Sequence, residues 1–105
     1  MLGNHAYFNI AKAHAFHALG DLEETERCLL ASLSACSLCC HYNCLPFVRV
    51  VAARDLFVLV LDPTGRRADG LSMLKKELAS VPRDDATTRR YKDILGVELM
   101  RELVD

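Results

Sequence analysis

The stretch Leu19-Gly20-Asp21-Leu22-Glu23-Glu24 constrains the fold of this chain more than any other. Residues at helical spacing flank it: Ala13, Phe16 and Leu19 before it, and Leu22, Thr25, Leu29 and Leu33 after it. Glycine reaches positive φ without steric cost, so Gly20 is suited to end a first helix. Asp21 can accept a hydrogen bond from the N–H groups that open a second. Glu23 and Glu24 then fall in its first turn, at the positive end of its dipole. The pattern predicts two antiparallel helices joined with almost no slack. On this reading Gly20→Val should cost far more stability than Gly65→Val, because Gly65 ends a longer, exposed turn.

The rest of the chain continues the helical pattern. A first helix is predicted over residues 5–19, with Ala6, Ile10, Ala13, Phe16 and Leu19 on its apolar face. A second runs from Leu22 to Cys40, with Leu22, Thr25, Leu29, Leu33 and Cys36 on one face and Glu23, Glu26 and Arg27 on the other. Glu23 and Arg27, four apart with the acid first, have the better orientation for a surface ion pair. Tyr42-Asn43-Cys44 reads as the next corner, and Pro46 suits the first turn of a third helix, Pro46 to Leu61. That helix is apolar nearly all round and must be covered on several sides, which makes it the centre of the domain. A strand is the alternative for Phe57-Val58-Leu59-Val60-Leu61, although no second strand is visible to pair with it. Asp62-Pro63-Thr64-Gly65 is a turn. A fourth helix follows from Arg66 to Ser80, with Leu71, Leu74 and Leu78 as core residues, and Pro82 marks its end. Asp84 and Asp85 open a fifth, on which Tyr91, Leu95, Leu99 and Leu103 form a four-residue stripe thickened by Ile94 and Met100. Gly96 weakens that helix by about 1 kcal/mol relative to Ala and is a candidate break.

The chain of 105 residues suits one domain, and an apolar fraction of 51% suffices for a small packed core. A net charge of −1 argues against electrostatic capture of nucleic acid or anionic membrane. The most apolar stretch, residues 46–61, is too short and too charged, with Arg49, Arg54 and Asp55, to span a bilayer. No secretory signal precedes a cleavage site, and the first twenty residues, with Lys12 as their one Lys or Arg, make a poor import sequence. The expectation is a soluble, intracellular, cytoplasmic protein.

Internal repetition sharpens the fold class. Ala13, Phe16 and Leu19 return as Ala53, Leu56 and Leu59 at an offset of 40; Thr25, Leu29 and Leu33 return as Gly70, Leu74 and Leu78 at an offset of 45. The difference is assigned to a longer corner in the second hairpin. Small residues (Ala13, Thr25, Ala53 and Gly70) recur where paired helices must approach closely. With Ser37 and Pro82 at repeat-closing positions, the chain resembles a tetratricopeptide repeat (TPR) protein over Ala13 to Leu33 and Ala53 to Pro82. The resemblance implies an all-α fold: antiparallel hairpins, residues 5–40 and 46–81, stacked as a right-handed array of about five helices, with 84–104 as the closing helix. It implies a non-enzymatic scaffold without a cofactor, which binds a protein or peptide partner or docks as a subunit of a larger assembly. It places Tyr7, Ile10, His14 and His17 on the partner-binding groove. Family members that clamp a terminal carboxylate use a Lys and an Asn where Ile10 and His14 stand here, so that specialised function is not expected.

One constellation suggests other chemistry. Cys36, Cys39, Cys40, His41 and Cys44 place four thiols and an imidazole within nine residues, a ligand set that Zn²⁺ or iron could use. The alternative function is therefore a small metal-binding module. Its spacing departs from a usual zinc site, in which two well-separated pairs bring two backbone segments together. Thiols packed between helices account for the same residues without a metal. No phosphate-binding loop, His-Glu-x-x-His or nucleophile elbow is present, and no catalytic residue is assigned. Arg66 and Arg67 read as solvated cations after a turn. Arg89, Arg90 and Lys92 read as a solvated helix face among Asp84, Asp85 and Asp93.

Overall fold

The computed structural model describes residues 2–39, 47–79 and 84–104, all helical or in turns, with no strand among them. The helices are α1 (Leu2–Ala18), α2 (Leu22–Cys39), α3 (Val48–Leu56), α4 (Arg67–Ala79), α5 (Asp85–Leu95) and α6 (Val97–Val104). The corner between α1 and α2 forms as the sequence predicts. Gly20 has φ +82°. Its N–H donates to the His17 carbonyl at 3.0 Å, and the Asp21 N–H donates to the Phe16 carbonyl at 3.0 Å. These two bonds make a Schellman closure. The Asp21 carboxylate then accepts from the Glu24 N–H at 3.0 Å and caps α2. Leu19 is not part of the core; it sits in this closure and is 80% exposed. Arg27 pairs with Glu24, one turn back, rather than with Glu23.

The second hairpin closes in the same way. Gly65 has φ +80°, its N–H donates to the Asp62 carbonyl at 3.3 Å, and the Arg66 N–H donates to the Leu61 carbonyl at 2.8 Å. The five extra residues that separate the two repeat offsets are therefore not a longer corner. They lengthen α3. Phe57–Leu61 continues it as a π-helical turn, in which the Asp62 N–H reaches back to the Phe57 carbonyl at 2.9 Å. This excludes the strand alternative for the same residues.

The four recurring small residues lie where the repeat pattern puts them. Ala13, Thr25 and Ala53 are fully buried, and Gly70 is buried against Phe57. A Cβ on Gly70 would collide with Cδ1 of the Phe57 ring and lie 3.0 Å from its Cε1. The equivalent leucines Leu29 and Leu74 are both fully buried. Within the first hairpin, Ser32 on α2 donates to the Ala6 carbonyl of α1 at 2.9 Å.

Helix α3 is the centre of the domain, packed by α1, α2, α4 and α5. One apolar cluster joins Val50, Ala53 and Phe57 to Leu74, Tyr91, Leu95, Met100 and Leu103. A second joins Leu56, Val60 and Leu61 to Ala13, Cys28 and Leu29. The predicted closing helix 84–104 is two helices. Asp84 caps α5 by accepting from the Thr87 N–H at 2.8 Å. Gly96, at φ +90° and ψ +154°, breaks the path, a backbone region essentially reserved for glycine. Beyond the break, α6 turns onto α4 while α5 packs on α3. The corner at 42–44, Pro46 and Pro82 lie outside the described residues. The smallest dimension of the fold is 18 Å, about two helices thick.

Arg66 and Arg67 are not free cations. Arg66 makes a two-pronged contact with Glu26 of α2, at 3.0 and 2.8 Å. Arg67 pairs with Asp62 at 3.0 Å and with Glu102 of α6.

Gly20 and Gly65 have like φ and open space around them, so the two corners should respond alike. Gly20→Ala and Gly65→Ala are each expected to cost about 1–2 kcal/mol. Gly70→Val should cost about 3 kcal/mol, because the added side chain meets the buried Phe57 ring and must push it out of its packing. Urea denaturation of the three variants checks this order; a Gly70→Val as stable as the corner variants would contradict it. A separate expectation concerns acid. The hydrogen bond from Arg66 holds the Glu26 carboxyl below its ordinary value of 4.5. The pair's small contribution is complete above that value and fades as pH falls through the lowered one. The stability gap between wild type and Arg66→Ala should therefore close in acid, as read from melting temperatures at pH 7 and pH 3.

Candidate functional site

Helix α3 buries a charge. Asp55 is 4% exposed, so its carboxylate must be partnered within the protein. Arg54 donates from Nε and Nη2 to Asp55 Oδ1 at 3.1 and 2.9 Å. His14 of α1 donates from Nε2 to Oδ2 at 2.9 Å. A carboxylate only accepts, so this ring nitrogen carries the proton. Arg54 also reaches the Ile94 carbonyl of α5 at 3.3 Å. The Arg54–Asp55 pair thus ties α3 to α1 and to α5.

Three of the four predicted groove residues present solvent-accessible side chains on α1. Tyr7, His14 and His17 are exposed, and Tyr7 stands two turns before His14 on the same side of the helix. Ile10 is only half exposed. It lies between the buried Ala6 and Ala13 on the stripe that faces α2, and packs with both apolar clusters that meet there. It contributes to the hairpin and not to an open groove. Neither position can serve in a carboxylate clamp, because Ile10 is packed among apolar side chains and His14 already holds an anion.

Arg54 and Asp55 were not singled out from the sequence as site residues. The available signal was their position: an Arg-Asp pair inside a helix that is otherwise apolar must find partners on the helices covering it. The sequence could not say that His14, 41 residues away, would be one of them.

The cysteine cluster lies almost wholly outside the described residues. Cys36 and Cys39 fall in the last turns of α2, their side chains undescribed, and Cys40, His41 and Cys44 are not described. Among the described residues no group of three or more His, Cys, Asp or Glu side chains could hold a metal ion. No described helix is long and apolar enough to cross a membrane. The Arg89–Lys92 segment offers no aromatic platform for a base. Tyr91 is buried edge-on against Phe47, with ring centroids 5.6 Å apart, and Arg90 stacks over the same Phe47 ring. Burial pushes the Tyr91 phenol above its ordinary value, and nearby Glu77 adds to the shift.

Comparison with family models, with curated proteins and with solved structures found no match.

Asp55→Ala is expected to destabilise the fold by about 2–3 kcal/mol, since a charged hydrogen-bond acceptor is removed from a buried site. His14→Ala should cost about 1 kcal/mol or less, because its side chain is 53% exposed. Chemical denaturation of the single and double variants checks both figures. If His14→Ala costs as much alone as in the Asp55→Ala background, the bond across α1 and α3 is energetically silent.

Proposed function

We propose that this chain is a TPR-like, non-catalytic scaffold that binds a protein or peptide partner, or docks on a larger assembly, through the face shared by α1, α3 and α5. The observation that carries the reading is the equivalence of the two hairpins. Each closes on a glycine at positive φ, Gly20 and Gly65. Each buries a small residue on its first helix, Ala13 and Ala53, and another on its second, Thr25 and Gly70. Each adds a fully buried leucine at the same distance from the corner, Leu29 and Leu74. Two hairpins that bury small residues and a leucine in corresponding places support a reading as units of a repeat array, a class that exposes a broad face formed by the first helix of each unit.

The electrostatics of that face support binding rather than catalysis. The Asp55 carboxylate has both oxygens engaged, and the Arg54 guanidinium beside it is shared between Asp55 and a main-chain carbonyl. What is left for a partner is the exposed surface of Tyr7, His14 and His17, an aromatic and imidazole patch suited to a peptide or helix.

Selection of a peptide library against the immobilised protein tests the reading. Enriched peptides should bind wild type about tenfold more tightly than Tyr7→Ala, with Lys75→Ala on α4 as a control that leaves affinity unchanged. Peptides that bind wild type and Tyr7→Ala equally would remove this face as the binding surface.

A further inference from the structure

A second surface is built where α3, α4 and the α5–α6 break meet. An open groove of about 420 Å³ lies there, with Phe57 and Leu95 at its base and Val58, Val97 and Leu99 along it. None of the residues predicted on the α1 face lines it. Phe57 and Leu95 are buried, whereas Val58 and Val97 are 51% and 52% exposed. Two half-exposed valines over a buried apolar floor form a strip that a partner's apolar side chains can cover.

The rim is acidic. Asp62 and Glu102 hold the guanidinium of Arg67 between them, and Arg67 also lies over the Phe57 ring, 5.3 Å from its centre. The positive charge at the groove is thus satisfied within the protein. Glu98, next to Val97, has no ion-pair partner among the described residues, and Arg101, the one cation of α6, does not line the groove. Two carboxylates, Glu98 and Glu102, therefore line the groove beside one guanidinium. The neighbouring walls are helices, and no strand edge among the described residues offers backbone partners to an extended peptide.

We propose that this groove receives an amphipathic helix of a partner protein, its aliphatic side chains on Val58 and Val97 and its basic side chains toward Glu98 and Glu102. The inference extends the scaffold reading by naming the chemistry of a partner, and it does so at a different surface.

The test uses the full chain and two synthetic helical peptides of roughly 15 residues, both with leucine on one face, one with lysine and the other with glutamate on the opposite face. Binding is measured by calorimetry and mapped by methyl and aromatic chemical shifts. The lysine peptide should bind and the glutamate peptide should not, with shifts at Val58, Val97 and Leu99. Glu98→Lys should weaken binding about tenfold, and the wild-type affinity should fall with added salt. Glu98 and Val97 are both exposed, so Val97→Asp provides a second variant that keeps the fold, verified by circular dichroism. Equal binding of the two peptides, no binding of either, or loss of the site through self-association of the chain overturns the proposal. Shifts confined to Tyr7 and His17 overturn it as well while leaving the α1 face standing, so the two readings fail separately.

Discussion

Helix α3 can lie at the centre of this fold only because each of its charges finds a partner on a helix that covers it. Arg49 makes a bidentate contact with Glu77 of α4 and donates to the Leu33 carbonyl of α2 at 2.8 Å. Arg54 reaches the Ile94 carbonyl of α5, and Asp55 takes the bond from His14 of α1. Four neighbours are thus engaged by three side chains. Desolvating such groups costs about as much as pairing them returns, so they add little net stability. The energy comes from the apolar clusters on either side of α3. The polar contacts act on arrangement: they join particular positions of α3 to particular positions of the helices around it.

The cap residues and small residues were legible in the sequence because their effects are local or steric. Gly20 and Asp21 act within one turn of themselves, as does Asp84. Ala13, Thr25, Ala53 and Gly70 announce a close approach whatever lies opposite. The break at Gly96 was visible as a weak point, yet its consequence was not: α6 leaves the line of α5 because Leu103 and Met100 find cover beside Leu74 and Phe57, which no local pattern encodes. Leu19 was misplaced for a similar reason. It continues the apolar period of α1, but the Schellman closure carries it off the helix face before the period is completed.

The candidate site was less legible than the fold. The resemblance to a TPR, carried over at helical spacing, put Tyr7, His14 and His17 on an accessible face, and all three side chains are exposed. Ile10 shares that spacing, and its burial follows from how far around α1 the contact with α2 extends. The pairing of Arg66 with Glu26 and of Arg67 with Glu102 was likewise out of reach, since each joins residues 35 or more apart. A charged residue following a turn looks solvated until the tertiary neighbour is known.

The π-helical turn at Phe57–Leu61 has a consequence for how such a chain can change over evolutionary time. Each hydrogen-bonded ring in it encloses one residue more than an α-helical ring. Because the wider ring turns less per residue, loss of a single residue here would let the ladder return to ordinary α-helix while the helix before it kept roughly its orientation relative to the Gly65 corner. Asp55 would still face His14. A change of one residue, normally absorbed by segments that look like loops, can here be absorbed inside the central helix.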